Sequence, residues 1–193
     1  MSDPIRLNRR LLVGAAGALS VVGSLSAAAG RAAPKAEVPT SSAALDSVKT
    51  LFCLEAKVSI AAAVTVGQSA YGLRRLIPIT GGSFTGPRIH GEVVPGGADY
   101  QVVRPDGVTT VEARYTLRAS DGALIYIANR GIIVRDPAAR GDATVQASYI
   151  RTAPEFEAPI GPHDWLNKSL FVGTLDGSHA AQGYVVIRVY QVV

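Results

Sequence analysis

Short glycine- and proline-rich segments divide residues 81–131 into runs of alternating apolar and polar residues, and their spacing strongly constrains the fold. Pro95-Gly96-Gly97, Pro105-Asp106-Gly107 and Asp121-Gly122 are combinations that favour tight reversals between antiparallel strands. The runs between them have the period of two that is expected when one face of a strand is buried. The sequence therefore predicts antiparallel β-structure with reversals at these three places.

The same pattern extends over most of the chain. Strands are predicted at 51–60, 64–67, 73–79, 88–94, 100–104, 110–119, 123–130, 143–152, 170–175 and 184–193, with one helical turn around 164–167. Many short strands without intervening helices indicate an antiparallel barrel or sandwich. A barrel is favoured because the last strand can pair with an early one and remove exposed edges. The predicted fold class is all-β, a single lipocalin-like up-and-down barrel with little helix, preceded by an export signal.

Residues 1–29 have the layout of that signal. Arg9 and Arg10 precede an uncharged stretch, residues 11–30, that is rich in Ala, Gly, Leu and Val. The arginine pair and its flanks resemble the twin-arginine pattern, and Ala27–Ala29 favours cleavage. We therefore expect the twin-arginine export machinery as a partner and a periplasmic or secreted location. A general secretory signal and an uncleaved membrane anchor are the alternatives.

The signal is followed by a predicted flexible linker, residues 30–47, and by a β-barrel domain, residues 48–193. The full chain has a formal charge of +4 from 19 basic and 15 acidic residues. Three of the basic residues and one acidic residue lie in the signal, so the remainder carries +2. This near-neutral chain has no clustered basic stripe, and nucleic acid is not expected as a partner.

The sequence lacks the familiar signatures of metal- and nucleotide-dependent enzymes. His90, His163 and His179 stand apart from one another, whereas metal ligands usually cluster on adjacent positions. Neither a metal nor a cofactor is therefore predicted. Cys53 is the only cysteine, so it cannot form an internal disulfide, and it is predicted to be a small buried apolar residue.

Four polar residues on or beside the predicted strands are candidate catalytic groups: Asp99, Glu112, Arg114 and Tyr126. Asp99 follows a predicted turn, which either delivers its carboxylate to the mouth of the barrel or uses it to close the turn through backbone N–H groups. Arg114 shares a strand face with Glu112. Its guanidinium must face water, pair with a carboxylate or meet a ligand, because burying it alone is too costly. Tyr126 either packs in the core or reaches a pocket.

Four further residues are candidate ligand-binding groups: Tyr100, Asn129, Arg151 and Trp165. In a regular strand Tyr126 and Asn129 fall on opposite faces, so a bulge before Gly131 is needed to bring both into one pocket. Trp165 is the only tryptophan, and it either closes a pocket as an aromatic lid or anchors its loop.

Seven ordered motifs run through the predicted domain: Ile77–Pro87, Pro95–Asp99, Ala113–Leu117, Asp121–Tyr126, Asn129–Gly131, Arg151–Glu157 and Trp165–Asn167. Together they resemble the bacterial domain-of-unknown-function family 3237, also called uncharacterised protein family 0311. The resemblance spans about Leu51 to the C-terminus and implies a small β-barrel without an established general function. Tyr100 stands where many members have Trp, and Glu112 stands where they have Asp.

Charged and aromatic residues on barrel strands, without metal or nucleotide motifs, predict a protein that binds a small, partly apolar carbonyl or aromatic compound. The leading hypothesis is cofactor-independent proton transfer, as in an isomerase, lyase or cyclase. Asp99 or Glu112 would be the base, and Arg114 with Tyr126 would stabilise the developing oxyanion. The alternatives are a non-catalytic small-molecule carrier and a structural envelope module. No oligomeric state is predicted.

Overall fold

The computed structural model describes residues 48–135 and 147–193, so the predicted signal and linker lie outside the described residues. These residues contain nine strands and two short 3₁₀ helices. The strands are β1 (Thr50–Ile60), β2 (Val64–Ser69), β3 (Gly72–Thr85), β4 (His90–Val103), β5 (Val108–Ala119), β6 (Leu124–Val134), β7 (Tyr149–Glu157), β8 (Phe171–Asp176) and β9 (Tyr184–Val192). The 3₁₀ helices are Asp164–Lys168 and Ala180–Gln182. None of the helices in this part of the chain is long and apolar enough to cross a membrane.

The strands form one antiparallel sheet that closes on itself. Its order is β1-β9-β8-β7-β6-β5-β4-β3-β2, and β1 also pairs with β3. Eight strands therefore form a closed barrel, and β2 extends the sheet from the first half of β3. The last strand pairs with the first from Val192 opposite Thr50 to Tyr184 opposite Ser59. The predicted all-β barrel is confirmed, as is the role of the last strand in closing it.

Two of the three predicted reversals are confirmed, and the third is wrong. Pro105–Gly107 joins β4 to β5, and Asp121-Gly122 joins β5 to β6. Pro95–Gly97 instead lies inside β4 at a bulge, because Val94 and Ala98 pair with residues only two apart on β5. A Cβ atom on Gly97 would lie 2.4 Å from the carbonyl oxygen of Arg114. The glycine therefore allows a close approach of two strands rather than a reversal.

A second bulge lies in β3 at Thr80. Ser59 and Ile60 are adjacent in β1, yet they pair with Gly81 and Ile79, so Thr80 is an extra residue in β3. An extra residue changes which alternate side chains face inward. Arg75 precedes the bulge and Phe84 follows it, and both face the barrel interior although nine positions separate them.

One half of the barrel interior is an apolar core. Its members are buried side chains from all eight barrel strands and neighbouring loops, including Leu54, Val58, Phe84, Val93, Leu117, Ile125, Ile127, Phe156, Phe171, Ile187 and Val189. Cys53 belongs to this core as predicted, and its burial raises the pKa of the thiol to about 11.

The segment between β7 and β8 closes the apolar end of the barrel. The predicted helical turn is confirmed there as the 3₁₀ helix Asp164–Lys168, which buries Leu166 in the core. Asn167 fixes the segment by accepting a hydrogen bond of 2.7 Å from the backbone N–H of Ala158 and donating one of 2.8 Å to its carbonyl oxygen. His163 Nε2 lies 2.9 Å from Oδ2 of Asp121 in the β5–β6 turn.

Candidate functional site

The other half of the barrel interior contains the buried polar side chains of the described residues. Successive strands place one layer of inward-facing positions side by side, because Asp99 pairs with Ala113, Ala113 with Asn129, and Asn129 with Pro154. We refer to the inward-facing Arg75, Asp99, Gln101, Thr109, Asn129, Arg135 and Thr152 as the polar chamber. Gln101, Thr109, Asn129 and Thr152 are the buried polar residues of the described chain, each no more than 5% exposed.

A chain of hydrogen bonds crosses the chamber from β3 to β5. Arg75 Nε donates a hydrogen bond of 2.8 Å to Oε1 of Gln101. Gln101 Nε2 in turn donates one of 2.6 Å to Oδ2 of Asp99. The backbone N–H of Glu112 donates one of 2.9 Å to Oδ1 of Asp99. The Asp99 carboxylate is therefore held in one orientation by a donor on each oxygen.

Burial shifts the pKa values of Asp99 and Arg75 in opposite directions. It raises the pKa of Asp99, against the opposing effects of the Gln101 and Glu112 hydrogen bonds and the Arg75 charge. It lowers the pKa of Arg75, and the nearby positive charge of Arg135 lowers it further. Burial also raises the pKa of the Tyr115 phenol, with a contribution from the Asp99 charge. A carboxylate with a raised pKa is a stronger base than one in water.

Three buried polar atoms of the chamber have no hydrogen-bond partner among residues 48–135 and 147–193. They are Oδ1 of Asn129, Oγ1 of Thr152 and Nε of Arg135. Folded proteins rarely leave such atoms unpaired, and each exception calls for an explanation such as an ion or ligand. The chamber therefore offers unused hydrogen-bonding groups as well as a fixed carboxylate.

The four candidate catalytic residues do not come together. Asp99 faces the chamber, whereas Glu112, Arg114 and Tyr126 lie on the outer face of the barrel. Arg114 Nε donates a hydrogen bond of 3.0 Å to Oε1 of Glu112, and the two side chains are 48% and 36% exposed. Arg114 therefore forms an ion pair, which was one of the alternatives for its guanidinium. Asp99 accepts a hydrogen bond from a backbone N–H, which was one of its alternatives, but the donor lies on the neighbouring strand rather than in a turn.

The candidate ligand-binding residues are divided in the same way. Asn129 faces the chamber, and β6 pairs with β5 without a register shift, so no bulge brings Tyr126 to the same side. Tyr100 is 45% exposed on the outer face, and Arg151 is also exposed. Trp165 lies at the apolar end, where the Arg88 guanidinium stacks 3.9 Å from its ring centre.

Sequence reasoning missed five members of the chamber: Arg75, Gln101, Thr109, Arg135 and Thr152. Alternation from Asp99 gives Gln101, and alternation from Ala113 back along β5 gives Thr109. The signal for Arg75 is weaker, because the Thr80 bulge reverses the faces expected from the apolar positions that follow it.

Two other features are separate from the chamber. A surface cavity of about 580 Å³ lies on the outer face near the β4–β5 turn and is lined by Tyr71, Arg74, Val102, Arg104, Pro105, Asp106 and Thr110. Among residues 48–135 and 147–193, no three His, Cys, Asp or Glu side chains are grouped so that they could hold a metal ion. The chemistry of the chamber itself is that of one carboxylate, two guanidinium groups and neutral hydrogen-bonding side chains.

Comparison with known proteins places this barrel in a family. The family described as "Protein of unknown function (DUF3237)" matches residues 48–192. The chain belongs to this family. A UPF0311 protein of Bradyrhizobium diazoefficiens is 36% identical over 151 residues, which cover 75% of this chain and 95% of that protein. A UPF0311 protein of Clostridium acetobutylicum is 42% identical over 116 residues, which cover 56% and 73%.

Solved structures that are similar to this chain have the same fold. A conserved protein of unknown function from Rhodopseudomonas palustris has a TM-score of 0.70 at 36% identity, over 76% of this chain and 99% of that one. A beta-barrel like protein from Acinetobacter baumannii has a TM-score of 0.67 at 28% identity, over 76% and 97%. A protein described as an enzyme from Penicillium herquei has a TM-score of 0.58 at 23% identity, over 76% and 95%, and this likeness concerns the fold alone.

Proposed function

We propose that this DUF3237 protein binds a small, partly apolar carbonyl or aromatic compound in the polar chamber and catalyses cofactor-independent proton transfer. The reaction would be an isomerisation, elimination or cyclisation. The observation that carries the proposal is Asp99, a half-buried carboxylate with a raised pKa that lies in the same layer as Asn129, whose Oδ1 has no partner among the described residues. Perturbed carboxylates in such surroundings are characteristic of general bases.

Asp99 is the proposed base. Gln101 and the backbone N–H of Glu112 each occupy one lone pair of its oxygens, which leaves a further acceptor site on each oxygen. A carbon acid or hydroxyl group placed against either oxygen could lose its proton to the carboxylate. Catalysis of this kind contributes about 10²–10⁴-fold to a rate.

Arg75 takes the role first assigned to Arg114 and Tyr126. It donates to Gln101 through Nε, and its Nη groups are the donors that would stabilise negative charge developing on a substrate oxygen. Asn129 supplies a second polar group in the same half of the interior. Arg114 and Tyr126 are unsuited to this role because both lie on the outer face.

A non-catalytic carrier is the second candidate. It is favoured by the hydrogen-bond chain itself, because both oxygens of Asp99 and both ends of the Gln101 amide already have partners. Such a fixed array can recognise a ligand without reacting with it. The two candidates differ in whether the bound compound is changed.

The test is mass spectrometry of a metabolite extract incubated with the purified protein, with Asp99→Asn and with Arg114→Gln as the outer-face control. A compound consumed by the unmodified protein and by the control, but not by Asp99→Asn, supports proton transfer. A compound retained unchanged by the protein supports a carrier. Equal consumption by Asp99→Asn and the unmodified protein contradicts the assignment of the base.

We also propose export through the twin-arginine machinery to the periplasm or beyond. The support is the sequence of residues 1–29, in which Arg9 and Arg10 precede the uncharged stretch. Replacing both arginines by lysine keeps the charge and should leave the protein in the cytoplasm, as measured by cell fractionation and immunoblotting. Unchanged export of that variant would exclude the twin-arginine route.

A further inference from the structure

We infer that the compound held in the polar chamber carries a carboxylate, and that Arg75 and Arg135 bind it. This inference rests on the proposed function, because it names the class of compound that the same site takes.

The two arginines approach the chamber from different strands. Arg75 lies on β3 opposite Gln101 of β4, which fixes its Nε by a hydrogen bond of 2.8 Å. Arg135 directly follows β6 and lies two residues after the buried Ile133, so strand alternation carries it to the same side of the sheet. Its Nε is buried, which agrees with an inward course.

The described residues of the chamber carry more positive than negative charge. Arg135 lies close enough to Arg75 for its positive charge to lower the pKa of the Arg75 guanidinium. Asp99 is the one carboxylate that faces the chamber among residues 48–135 and 147–193. Arg75 and Arg135 are half-buried and repel each other, and Asp99 offsets only one of the two positive charges. A second anion would lower the free-energy cost of this repulsion. An anionic ligand would therefore be attracted by charge.

The hydrogen-bonding groups fit a carboxylate in particular. Nε of Arg135 has no partner in the described part of the chain, and Arg75 uses Nε for Gln101. A guanidinium binds a carboxylate through two parallel N–H donors, which gives both strength and a fixed orientation. Oγ1 of Thr152 is a further unpaired group that can donate to an oxygen of the ligand.

Aliphatic side chains line the barrel interior beside the chamber. One row of paired positions crosses five strands next to the arginines: Leu73, Val103, Thr109, Ile133 and Ile150. Four of these five side chains are aliphatic. A site that combines an apolar wall with a few charged groups suits an aromatic or branched carboxylic acid.

The experiment compares acids with matched neutral amides. Benzoate, phenylacetate and cinnamate, and their amides benzamide, phenylacetamide and cinnamamide, are titrated into the protein by calorimetry and NMR. We expect at least one acid to bind about tenfold or more tightly than its amide, because charge-assisted hydrogen bonds are stronger than neutral ones. Arg75→Gln and Arg135→Gln should each remove this preference.

The control is Arg114→Gln, which removes the same charge from the outer face and should leave the preference intact. Arg75→Lys keeps the charge but not the planar donors, and it should keep part of the preference. It also protects the test if Arg75→Gln does not fold, which circular dichroism would show. The inference is overturned if acids and amides bind equally, if no acid binds, or if neither interior arginine matters.

The result can be separated from the proposed function. If the acids bind through the arginines but no compound in the metabolite extract is consumed, the inference stands and catalysis is excluded. If the extract instead yields a neutral compound whose conversion needs Asp99, catalysis stands and the carboxylate inference is wrong.

Discussion

Nε2 of Gln101 donates a hydrogen bond of 2.6 Å to Oδ2 of Asp99, while Oε1 of the same amide accepts one of 2.8 Å from Arg75. A neutral side chain thus separates a carboxylate from a guanidinium. Direct contact with the cation would strongly favour the ionised carboxylate and lower its pKa. With the amide between them, burial has the larger effect and the pKa of Asp99 is raised. The Gln101 amide therefore lets Asp99 lie near Arg75 while its pKa stays raised.

Replacing Asp99 by Asn should change how stability depends on pH. The raised pKa means that the folded protein binds the Asp99 proton more tightly than the unfolded chain does. The free energy of unfolding should therefore fall as pH rises from the ordinary aspartate pKa to the raised value, and level off above it. Asp99→Asn lacks this contribution. Urea denaturation of both proteins over a pH series measures it.

The quantity to follow is the unfolding free energy of the unmodified protein minus that of Asp99→Asn, which should fall as pH rises. Carboxyl groups with lowered pKa, such as Asp121 and Asp176, affect both proteins alike and cancel in the difference. A difference that stays constant, or that grows with pH, would contradict a raised pKa at Asp99.

Replacing Gln101 by Leu should destabilise the barrel. The side chain is 5% exposed, and its loss leaves Nε of Arg75 and Oδ2 of Asp99 without their partners. Unsatisfied buried polar groups cost about 1–3 kcal/mol each. Urea denaturation should show a loss of that order or more. Gln68→Leu on the exposed β2 is the matched control and should change stability by less than about 0.5 kcal/mol. Equal effects would mean that the hydrogen-bond chain contributes little.

Replacing Gly82 by Ala should be far more harmful than replacing Gly96 by Ala. Both glycines have positive φ, +136° and +113°, so both substitutions share a backbone strain. A Cβ on Gly82 would lie 2.1 Å from the carbonyl oxygen of Lys57, whereas one on Gly96 would meet nothing within 4 Å. The difference in unfolding free energy should be about 1–3 kcal/mol or more, the cost of overpacking. Similar thermal melts for the two variants would argue against the close β1–β3 approach.

Replacing Leu166 by Ala should weaken the barrel but not the chamber. Leu166 is 1% exposed in the apolar half, and leucine-to-alanine changes at such sites cost about 2–5 kcal/mol. Leu170→Ala is the control, since Leu170 is 77% exposed nearby. Urea denaturation measures the cost, and calorimetry with a chamber ligand should give an unchanged affinity. A parallel loss of affinity would show that the two halves of the interior are coupled.

The barrel could be predicted from the sequence because its determinants are local and repeated. Alternation marked the strands, and the Asp121-Gly122 pair marked a reversal. Pro95–Gly97 carries a local signal of the same kind, yet its glycine serves a close contact with β5. Whether a glycine turns the chain or admits a neighbouring strand depends on the partner strand, which local sequence does not contain.

The site could be predicted only in part for a related reason. Alternation separates Ala113 and Tyr115 from Glu112 and Arg114, but it does not state which set faces inward. Pairing with the neighbouring strands decides this, and it places the charged set in water. Asp99 and Asn129 were identified as candidates, whereas Arg75 requires the Thr80 bulge to be known.

The bulge at Thr80 also bears on what would happen if strand β3 slipped. Straightening the strand through this point would turn the preceding segment over, so that Arg74 and Leu76 replaced Arg75 and Ile77 inside the barrel. Arg74 would replace another arginine, and Leu76 would replace another aliphatic residue. The interior would therefore be lined by an arginine and an aliphatic side chain in either register of β3.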